Sequence, residues 1–145
     1  MLFIDLDNFK PLNDEHGHSA GDLLLLEVAQ RISLCVREVD TVARFGGDEF
    51  VVILSDLESE LTHAEQLACD IAEKIRASLS APYQVNISNS HKQTSVQHHC
   101  TASIGVVLLR HLQHNDIDII KLADQAMYQA KATGRNKICF LDSKP

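Results

Sequence analysis

Three carboxylates stand where strands of a predicted sheet end or begin. Asp5 lies at the end of an alternating strand that opens the chain. Asp48 and Glu49 directly follow a Gly46-Gly47 turn between two further predicted strands. Carboxylates brought together at a sheet edge repel each other unless a cation joins them, and oxygen ligands with water suit Mg²⁺. The two glycines permit positive φ and let a phosphate approach bare backbone. The pattern predicts a site for a divalent cation and a phosphate.

Basic residues at two places in the chain could face such a phosphate. Lys10 follows the first strand, and Lys131 and Arg135 are four residues apart, a spacing that would put them on one face of the last predicted helix. A cation held by carboxylates beside phosphate-binding groups is typical of nucleotidyl transfer. The residues alone therefore favour metal-dependent phosphoryl or nucleotidyl transfer. The alternative is a glycine turn flanked only by solvated acids.

Hydrophobic periodicity predicts the elements that must position these residues. In the first strand, alternate side chains point to opposite faces, so Asp5 and Asp7 share the face opposite Leu6. The order of elements predicts an α/β fold with one mixed sheet covered by helices. The elements are a strand at 1–6, a loop at 8–18, a helix at 22–38, strands at 41–45 and 49–54, a helix at 61–79, a strand pair PYQVNIS and TASIGVVLL joined by a polar stretch around 88–99, a helix at 116–132 and a strand at 137–141.

Composition limits the partners and the surroundings of the protein. Thirteen Lys and Arg against twenty Asp and Glu leave a net charge of −7 over 145 residues. A negative field repels polyanions, so we expect no nucleic-acid partner. The length fits one domain spanning residues 1–145, and no apolar run approaches the roughly 18 residues of a membrane span. Four widely spaced cysteines indicate buried apolar thiols in a reducing, cytoplasmic compartment, although the parent protein could be membrane-anchored.

The run His98-His99-Cys100 raises the question of a transition-metal site. Adjacent residues of a strand face opposite ways, so the three side chains cannot easily converge on one ion. We therefore expect no zinc at this position.

Four longer motifs, in order along the chain, resemble one known family. Together they cover nearly the whole sequence and are similar to the signatures of the GGDEF family, the diguanylate cyclases. The motifs are Asp5-x-Asp7-x-Phe9-Lys10-x-x-Asn13-Asp14-x-x-Gly17-His18-x-x-Gly21-Asp22, Arg44-Phe45-Gly46-Gly47-Asp48-Glu49-Phe50, Ala102-Ser103-Ile104-Gly105 and Ala123-Asp124-x-Ala126-Met127-Tyr128-x-Ala130-Lys131-x-x-Gly134-Arg135-Asn136.

The resemblance implies a fold and a reaction. The fold would be that of a nucleotidyl-cyclase or polymerase palm, with a central mixed sheet of about five strands, flanking helices and an additional β-hairpin. The reaction would join two GTP molecules into cyclic di-GMP with loss of two pyrophosphates. Each domain would hold one GTP, so the resemblance implies that a homodimer is needed for turnover.

The resemblance also implies a metal site and catalytic groups. Asp5, Asp48 and the backbone carbonyl of Leu6 would ligate Mg²⁺, with Mn²⁺ as an alternative. Asp48 and Glu49 would help to take the proton from the attacking 3′-hydroxyl. Lys10 would stabilise the charge that develops on the phosphates.

Further residues are implied to bind the nucleotide. Asn13 and Asp22 would read the guanine edge, and His18 would contact the nucleotide. Lys131 and Arg135 would contact the β- and γ-phosphates, and the glycines of the turn would lie against the phosphate. Preference for GTP over ATP would rest on the guanine-reading pair.

A short motif upstream of the glycine turn resembles the family's inhibitory product site. Arg37-x-x-Asp40 has the spacing at which cyclic di-GMP binds and restrains the cyclase. Two alternatives to an active cyclase remain at this stage. One is a non-catalytic receptor that binds cyclic di-GMP through these residues, and the other is a GTP-binding regulatory module attached to another catalytic domain.

The chain opens inside the first strand. Family members usually carry a helix and a D-x-L-T-x-L-x-N-R segment before it. We therefore expect residues 1–145 to be a fragment of a longer signalling protein.

Overall fold

The computed structural model describes residues 1–57, 60–89, 92–108 and 116–141. Its strands and helices follow one another in an order close to the predicted one. They are β1 (Leu2–Asp7), α1 (Lys10–His16), α2 (His18–Ser33), β2 (Thr41–Gly46), β3 (Glu49–Ile53), α3 (Leu61–Leu79), β4 (Tyr83–Asn89), β5 (Lys92–His98), β6 (Thr101–Val107), α4 (Asp116–Ala132) and β7 (Ile138–Leu141).

Five strands form the central sheet in the order β2-β3-β1-β6-β7. The β1–β3, β1–β6 and β2–β3 pairs are antiparallel, and β6–β7 is parallel. The predicted mixed sheet of about five strands is therefore confirmed, and so is the α/β class. Because β1 lies in the centre, it can be buried on both faces, and all six of its residues are buried.

The two faces of the sheet pack against different helices. On one face, Leu2, Ile4 and Leu6 of β1 join a core that also takes buried side chains from α2 and α3. On the other face, Phe3 of β1 packs with Met127 of α4 in a smaller cluster. The alternation predicted for the first strand is thus confirmed. It places Asp5 and Asp7 on the face that α4 covers.

α4 lies unusually close to β6 at Gly105. A Cβ atom built there would lie 2.0 Å from the carbonyl oxygen of Ala123 and 2.4 Å from the backbone nitrogen of Met127. Such distances are impossible for a real side chain, so only glycine allows the helix to lie this near the strand. This close approach fixes the height of α4 above the sheet.

Arg31 of α2 joins that helix to the end of α3. Its Nη1 donates to the carbonyl oxygens of Ser78 (2.9 Å) and Ala81 (2.7 Å), and its Nη2 donates to that of Pro82 (2.7 Å). The guanidinium lies 3.7 Å from the ring centroid of the buried Tyr83. The guanidinium thus binds three carbonyls in the last turn of α3 and in the residues just after it.

The region after β1 differs from the prediction. Residues 8–18 were predicted as a loop, but Lys10–His16 form α1 and α2 begins at His18. Pro11 indicated a loop; it lies in the first turn of α1, where a missing N–H costs nothing and the fixed φ suits a helix. The two helices are separated by Gly17, whose φ is 83°.

The predicted end of the second helix at residue 38 is also wrong. α2 ends at Ser33, and residues 34–40 form turns before β2. The apolar stripe continues to Cys35 and Val36, which pack against the core although they are no longer helical. Because Cys35 and Val36 pack against the core without being helical, the apolar periodicity predicted a helix longer than α2.

The pairing predicted for residues 83–109 is wrong as well. β4 pairs with β5 in a separate two-stranded sheet, whereas β6 joins the central sheet. The polar stretch around 88–99 supplies β5, whose Val96 lies opposite Val85. A hairpin outside the main sheet exposes most of its side chains, so its sequence need not be apolar. Residues 90, 91 and 109 lie outside the described ranges.

The remaining elements are confirmed to within about a residue. They are the strands at 41–46, 49–53 and 138–141 and the helices at 61–79 and 116–132. All four cysteines are free; Cys35 and Cys100 are buried, whereas Cys69 and Cys139 are half-buried. In the part of the chain that is described, no helix is both long and apolar enough to cross a bilayer.

Candidate active site

The predicted carboxylates meet where β1 lies beside β3. Asp5 is opposite Glu49 in the antiparallel register. The backbone N–H of Leu6 donates to the carbonyl oxygen of Asp48 at 3.2 Å, which attaches the start of β3 to β1. The central position of β1 therefore brings together residues that lie more than 40 positions apart in the sequence.

Asp5 is a buried acid with a lysine beside it. Its Oδ1 lies 2.6 Å from Nζ of Lys131, which comes from the last turn of α4. Burial raises the pKa of Asp5, and repulsion from Asp48 and Asp7 raises it further, although Lys131 opposes both effects. The lysine thus neutralises a carboxylate that would otherwise be costly to bury.

Glu49 belongs to the same group of charges. Burial raises the pKa of Glu49, and repulsion from Asp5, Asp48 and Asp124 adds to the rise, while Lys131 again opposes it. Asp124 lies exposed on α4. The site therefore holds more negative charge than Lys131 alone can balance, which is the electrostatic setting in which carboxylates accept a divalent cation.

The donors present at this edge fit a hard cation. Asp5 and Asp48 offer carboxylate oxygens beside backbone carbonyls, the ligand types that Mg²⁺ prefers. The ammonium of Lys131 already stands at Asp5 as a positive counter-charge. Within the described ranges, however, no three His, Cys, Asp or Glu side chains are arranged closely enough to hold an ion.

The glycine turn next to these acids is open. A Cβ atom on Gly46 or Gly47 would meet no atom within 4 Å, and Gly47 has a φ of 51°. Nε of Arg44 donates to the carbonyl oxygen of Gly47 at 2.9 Å, and the β2–β3 register shifts between Arg44 and Gly46. The exposed backbone leaves room for a phosphate to approach.

Arg44 had no role in the sequence analysis. It belongs to the glycine-turn motif, but its bond to the turn carbonyl was not predicted. The signal that could have revealed it is an arginine three residues before the second glycine of a tight turn, where its guanidinium can reach back to a turn carbonyl.

The catalytic candidate Lys10 and three of the residues predicted to bind the nucleotide, Asn13, His18 and Asp22, lie on α1 and at the start of α2. Lys10 and His18 are exposed at the first positions of these helices. Oδ1 of Asn13 is buried and lacks a hydrogen-bond partner among the described residues. A Cβ on Gly21 would lie 2.0 Å from that oxygen, so the glycine makes space for the Asn13 carboxamide. An unpaired buried acceptor is costly unless a ligand satisfies it.

A groove of about 570 Å³ begins at Asp22 and runs between α2 and β2. Its walls are mostly apolar, with the Asp22 carboxylate and Arg44 as the charged groups. An apolar slot with a few polar groups suits a flat ring with a polar edge. The apolar lining residues are Leu25, Leu26, Ala29, Val42 and Phe50.

The four-residue spacing predicted that Arg135 and Lys131 share one helical face, and this prediction is wrong. α4 ends at Ala132, and Gly134 and Arg135 follow with positive φ values of 120° and 61°. A glycine in this conformation ends a helix, so the four-residue spacing no longer implies a shared face. Lys131 alone remains in the helix and reaches Asp5.

Asp7 is occupied by hydrogen bonds rather than available to a ligand. It is buried and accepts bonds from Oγ1 of Thr101 (2.7 Å), Oγ of Ser103 (2.8 Å) and the backbone N–H of Asn136 (3.1 Å). It therefore ties β1 to β6 and to the loop after α4.

Arg37 and Asp40 lie between α2 and β2, at the opposite end of β2 from the glycine turn. Their side chains pair at 3.1 Å, and Nη2 of Arg37 donates to the carbonyl oxygen of Ser55 at 2.6 Å. The Asp40 side chain is fully buried, whereas 47% of that of Arg37 is exposed. Burial works against ionisation of Asp40, but bonds from Arg37 and Ser55 outweigh it and lower the pKa of Asp40.

Comparison with known protein families shows which family the chain resembles. The family model described as "Diguanylate cyclase, GGDEF domain" matches residues 1–137. The bifunctional diguanylate cyclase/cyclic di-GMP phosphodiesterase MucR of Pseudomonas aeruginosa is 43% identical over 143 residues, 99% of this chain and 19% of MucR. Diguanylate cyclase A of Treponema denticola is 38% identical over 138 residues, 95% of this chain and 34% of that protein. The chain thus spans well under half the length of these curated relatives.

Solved structures with the same fold carry matching descriptions. The GGDEF domain of TpbB (YfiN) from Pseudomonas aeruginosa aligns with a TM-score of 0.79 and 37% identity, covering 99% of this chain and 81% of that one. The active GGEEF domain of a diguanylate cyclase from Vibrio cholerae aligns with a TM-score of 0.75 and 32% identity, covering 96% of this chain and 80% of that one.

Proposed function

The chain belongs to the GGDEF family, and from this premise we propose that it is a diguanylate cyclase domain that converts two GTP molecules into cyclic di-GMP and two pyrophosphates. The observation that carries the proposal is the buried Asp5, opposite Glu49 on the next strand and neutralised by Lys131. The names of the relatives, which describe cyclases at 38–43% identity, support it.

The reaction needs a base that removes a proton, positive groups that stabilise the charge developing on the phosphates, and a fixed arrangement of the two nucleotides. In each of two steps, a 3′-oxygen forms a bond to the α-phosphorus of the other GTP, the bond from that phosphorus to the β-phosphate oxygen breaks, and pyrophosphate leaves. We assign removal of the 3′-hydroxyl proton to Asp48 and Glu49. Glu49 directly follows Asp48 and lies opposite Asp5, so both acids are at the position where a general base is needed.

Asp5, Asp48 and the backbone carbonyl of Leu6 would hold Mg²⁺, or Mn²⁺ in its place. When bound, such an ion supplies positive charge to the phosphate oxygens. The acids need that charge, because burial and mutual repulsion raise the pKa of both Asp5 and Glu49.

The triphosphate would be bound by cations and by bare backbone. Lys10, Lys131 and Arg135 supply positive charge, and the open turn of Gly46 and Gly47 lets phosphate oxygens approach without a side chain in the way. Fixed positive groups near the transferring phosphoryl stabilise its charge in the transition state.

Guanine would be read near the start of α2, where Asp22 lines the groove and Asn13 lies against Gly21. The unpaired Oδ1 of Asn13 and the carboxylate of Asp22 both accept hydrogen bonds, and guanine offers N1–H and N2–H₂ donors where adenine offers no such pair. His18 would contact the nucleotide from the start of α2. These assignments support GTP rather than ATP as the substrate.

Product inhibition through Arg37 and Asp40 is a further part of the proposal. The half-exposed guanidinium of Arg37 can contact a phosphate of cyclic di-GMP. Asp40, which is buried and bonded to Arg37 and Ser55, would hold that guanidinium in place. A non-catalytic receptor would use the same pair, but it would have no need of the acids at β1 and β3.

Product analysis with a matched pair of variants tests the proposal. The chain is incubated at high concentration with GTP and Mg²⁺, alongside Asp48→Ala and Asp70→Ala. Asp70 is exposed on α3, away from the proposed site. We expect cyclic di-GMP from the wild type and from Asp70→Ala, and a loss of turnover of at least about a hundredfold in Asp48→Ala.

Turnover in Asp48→Ala equal to that of the wild type would disprove the assigned roles. If the wild type makes no product even when fused to a dimerising coiled coil, the receptor alternative replaces the cyclase. Binding of cyclic di-GMP to the same preparation then tests that alternative directly.

A further inference from the structure

Two consecutive residues after α4 adopt left-handed backbone conformations. Arg135 has a φ of 61° and Asn136 a φ of 46°, directly after Gly134 at 120°. Residues other than glycine adopt this region at an energetic cost, which asparagine bears better than most. A turn of this kind persists only where contacts hold it.

The backbone of Asn136 provides the first of these contacts. Its N–H donates to Oδ2 of Asp7 at 3.1 Å. Asp7 is itself fixed by bonds from Thr101 and Ser103 of β6. Asp7 follows Asp5 by two residues on the same face of β1, so the turn is attached to the strand that carries the buried acid of the proposed site.

The side chain of Asn136 provides the second contact. Its Oδ1 accepts bonds from Nη1 of Arg76 at 2.6 Å and from Oγ of Ser80 at 3.1 Å. Arg76 is held in turn by Glu73, at 2.6 Å. The carboxamide thus connects the turn to the end of α3, on the opposite side of the sheet from α4.

Arg135 directly precedes Asn136, whose backbone and side chain make these two contacts. Its own N–H donates to the carbonyl oxygen of Ala130 at 3.0 Å, which closes the end of α4. Its side chain is exposed and makes no ion pair within the described ranges. The direction in which it leaves the backbone is therefore set by the turn and not by partners of its guanidinium.

We propose that Asn136 is a positioning residue, which fixes the Arg135 backbone so that its guanidinium meets the β- and γ-phosphates of the bound triphosphate. The inference rests on the proposed function, in which Arg135 contacts those phosphates. Loss of the Asn136 carboxamide frees the turn from α3, and Arg135 then binds phosphate less often in the productive geometry.

Binding measurements with two nucleotides test this proposal. The probes are guanosine 5′-(α,β-methylene)triphosphate, which cannot be cleaved at the α–β link, and GMP, which lacks the phosphates assigned to Arg135. Both are titrated by calorimetry with Mg²⁺ into the wild type, Asn136→Ala, Asn136→Asp and Arg135→Ala. Asn136→Asp keeps an oxygen acceptor for Arg76 and Ser80 and tolerates positive φ.

We expect Asn136→Ala to weaken binding of the triphosphate about tenfold and to leave GMP binding unchanged. Asn136→Asp should bind both probes like the wild type. In the Arg135→Ala background, adding Asn136→Ala should cause no further loss, because the residue acts through Arg135. Equal weakening of both probes, or a further loss in that background, would overturn the inference.

Asn136→Gly covers the case in which Asn136→Ala does not fold. Glycine adopts the left-handed conformation freely, so this variant removes the carboxamide without the strain that alanine would add at positive φ. The same selective loss of triphosphate binding is expected, and unchanged triphosphate binding would overturn the inference. Failure of the proposed function gives a different result: the wild type binds neither probe, or Arg135→Ala leaves triphosphate binding intact.

Discussion

At Asp40, one buried carboxylate organises the connection between α2 and β2. It accepts the backbone N–H groups of Arg37 (2.9 Å) and Ser55 (3.0 Å) as well as the Arg37 guanidinium. Those three donors outweigh the effect of burial, which by itself would raise the pKa of Asp40. The short R-x-x-D motif therefore has a structural use, which is independent of any ligand that Arg37 binds.

Asp40→Asn should lower stability in a way that depends on pH. Because the pKa of Asp40 in the folded chain lies below its ordinary value of 3.8, the stabilisation is complete above that pH and fades as the pH falls through the lower folded value. We expect a loss of about 2 kcal/mol at pH 7, since an amide cannot accept all of these bonds. Urea unfolding at pH 7 and near pH 3 measures the difference.

The exposed Asp70 gives the control for this prediction. Asp70→Asn should change the free energy of unfolding by less than about 0.5 kcal/mol at either pH. An Asp40→Asn effect of the same size at both pH values would contradict the assigned cause.

At the scale of the elements, the contact of α4 with β6 determines where Lys131 meets Asp5. That contact depends on Gly105, because the backbone of α4 occupies the space that a side chain would need. A side chain at position 105 would displace the whole of α4, because it would meet the backbone of that helix. Gly105 therefore links the packing of α4 on the sheet to the position of Lys131 at the site.

Gly105→Ala should destabilise the chain by about 3 kcal/mol, since the added methyl meets rigid backbone atoms. Gly46→Ala is the matched comparison, because a methyl there meets no atom within 4 Å. We expect Gly46→Ala to unfold at nearly the wild-type denaturant concentration while losing cyclase activity. Equal stability of the two variants would show that the close approach of α4 is not needed.

The elements that periodicity predicted well are those buried on one regular face. The helix at 61–79 was predicted with its observed bounds because its buried residues recur at helical spacing and no other signal competes. The predictions were wrong where the properties of single residues or backbone pairing, and not hydrophobic periodicity, determine the local structure. Pro11 suits a first turn, and the β4–β5 hairpin pairs by backbone bonds that leave no hydrophobic signature in β5.

The candidate site was predictable to a similar extent. The meeting of Asp5 with the glycine turn followed from strand ends and motifs. The 2.6 Å pair of Lys131 with Asp5, the bond from Arg44 to the turn and the double attachment of Asn136 did not. Those contacts depend on the distances of α4 and α3 from the sheet. These distances cannot be read from the spacing of residues in the sequence.

At the scale of the whole molecule, the described residues offer one candidate nucleotide site, whereas the proposed product contains two nucleotides. The reaction would therefore require two copies of the chain to meet with their bound GTP. A net charge of −7 on each copy works against that encounter at low ionic strength.

Turnover per chain should consequently depend on protein concentration. Well below the dissociation constant of the dimer, tenfold dilution should lower the rate per chain about tenfold by mass action. Fusion to a dimerising coiled coil should remove this dependence, and the same fusion carrying Asp48→Ala should be inactive. A rate per chain that stays constant across dilution, in a preparation that remains monomeric by light scattering, would contradict the requirement for a dimer.

The register shift between Arg44 and Gly46 has a consequence for how the protein behaves in a crowded solution. β2 is an outer strand, and a flat outer strand invites edge-to-edge aggregation with other chains. The irregularity interrupts the row of backbone groups that an incoming strand would have to match. The part of this edge that the proposed function leaves open to a phosphate is therefore also a part that a strand of another chain cannot easily pair with.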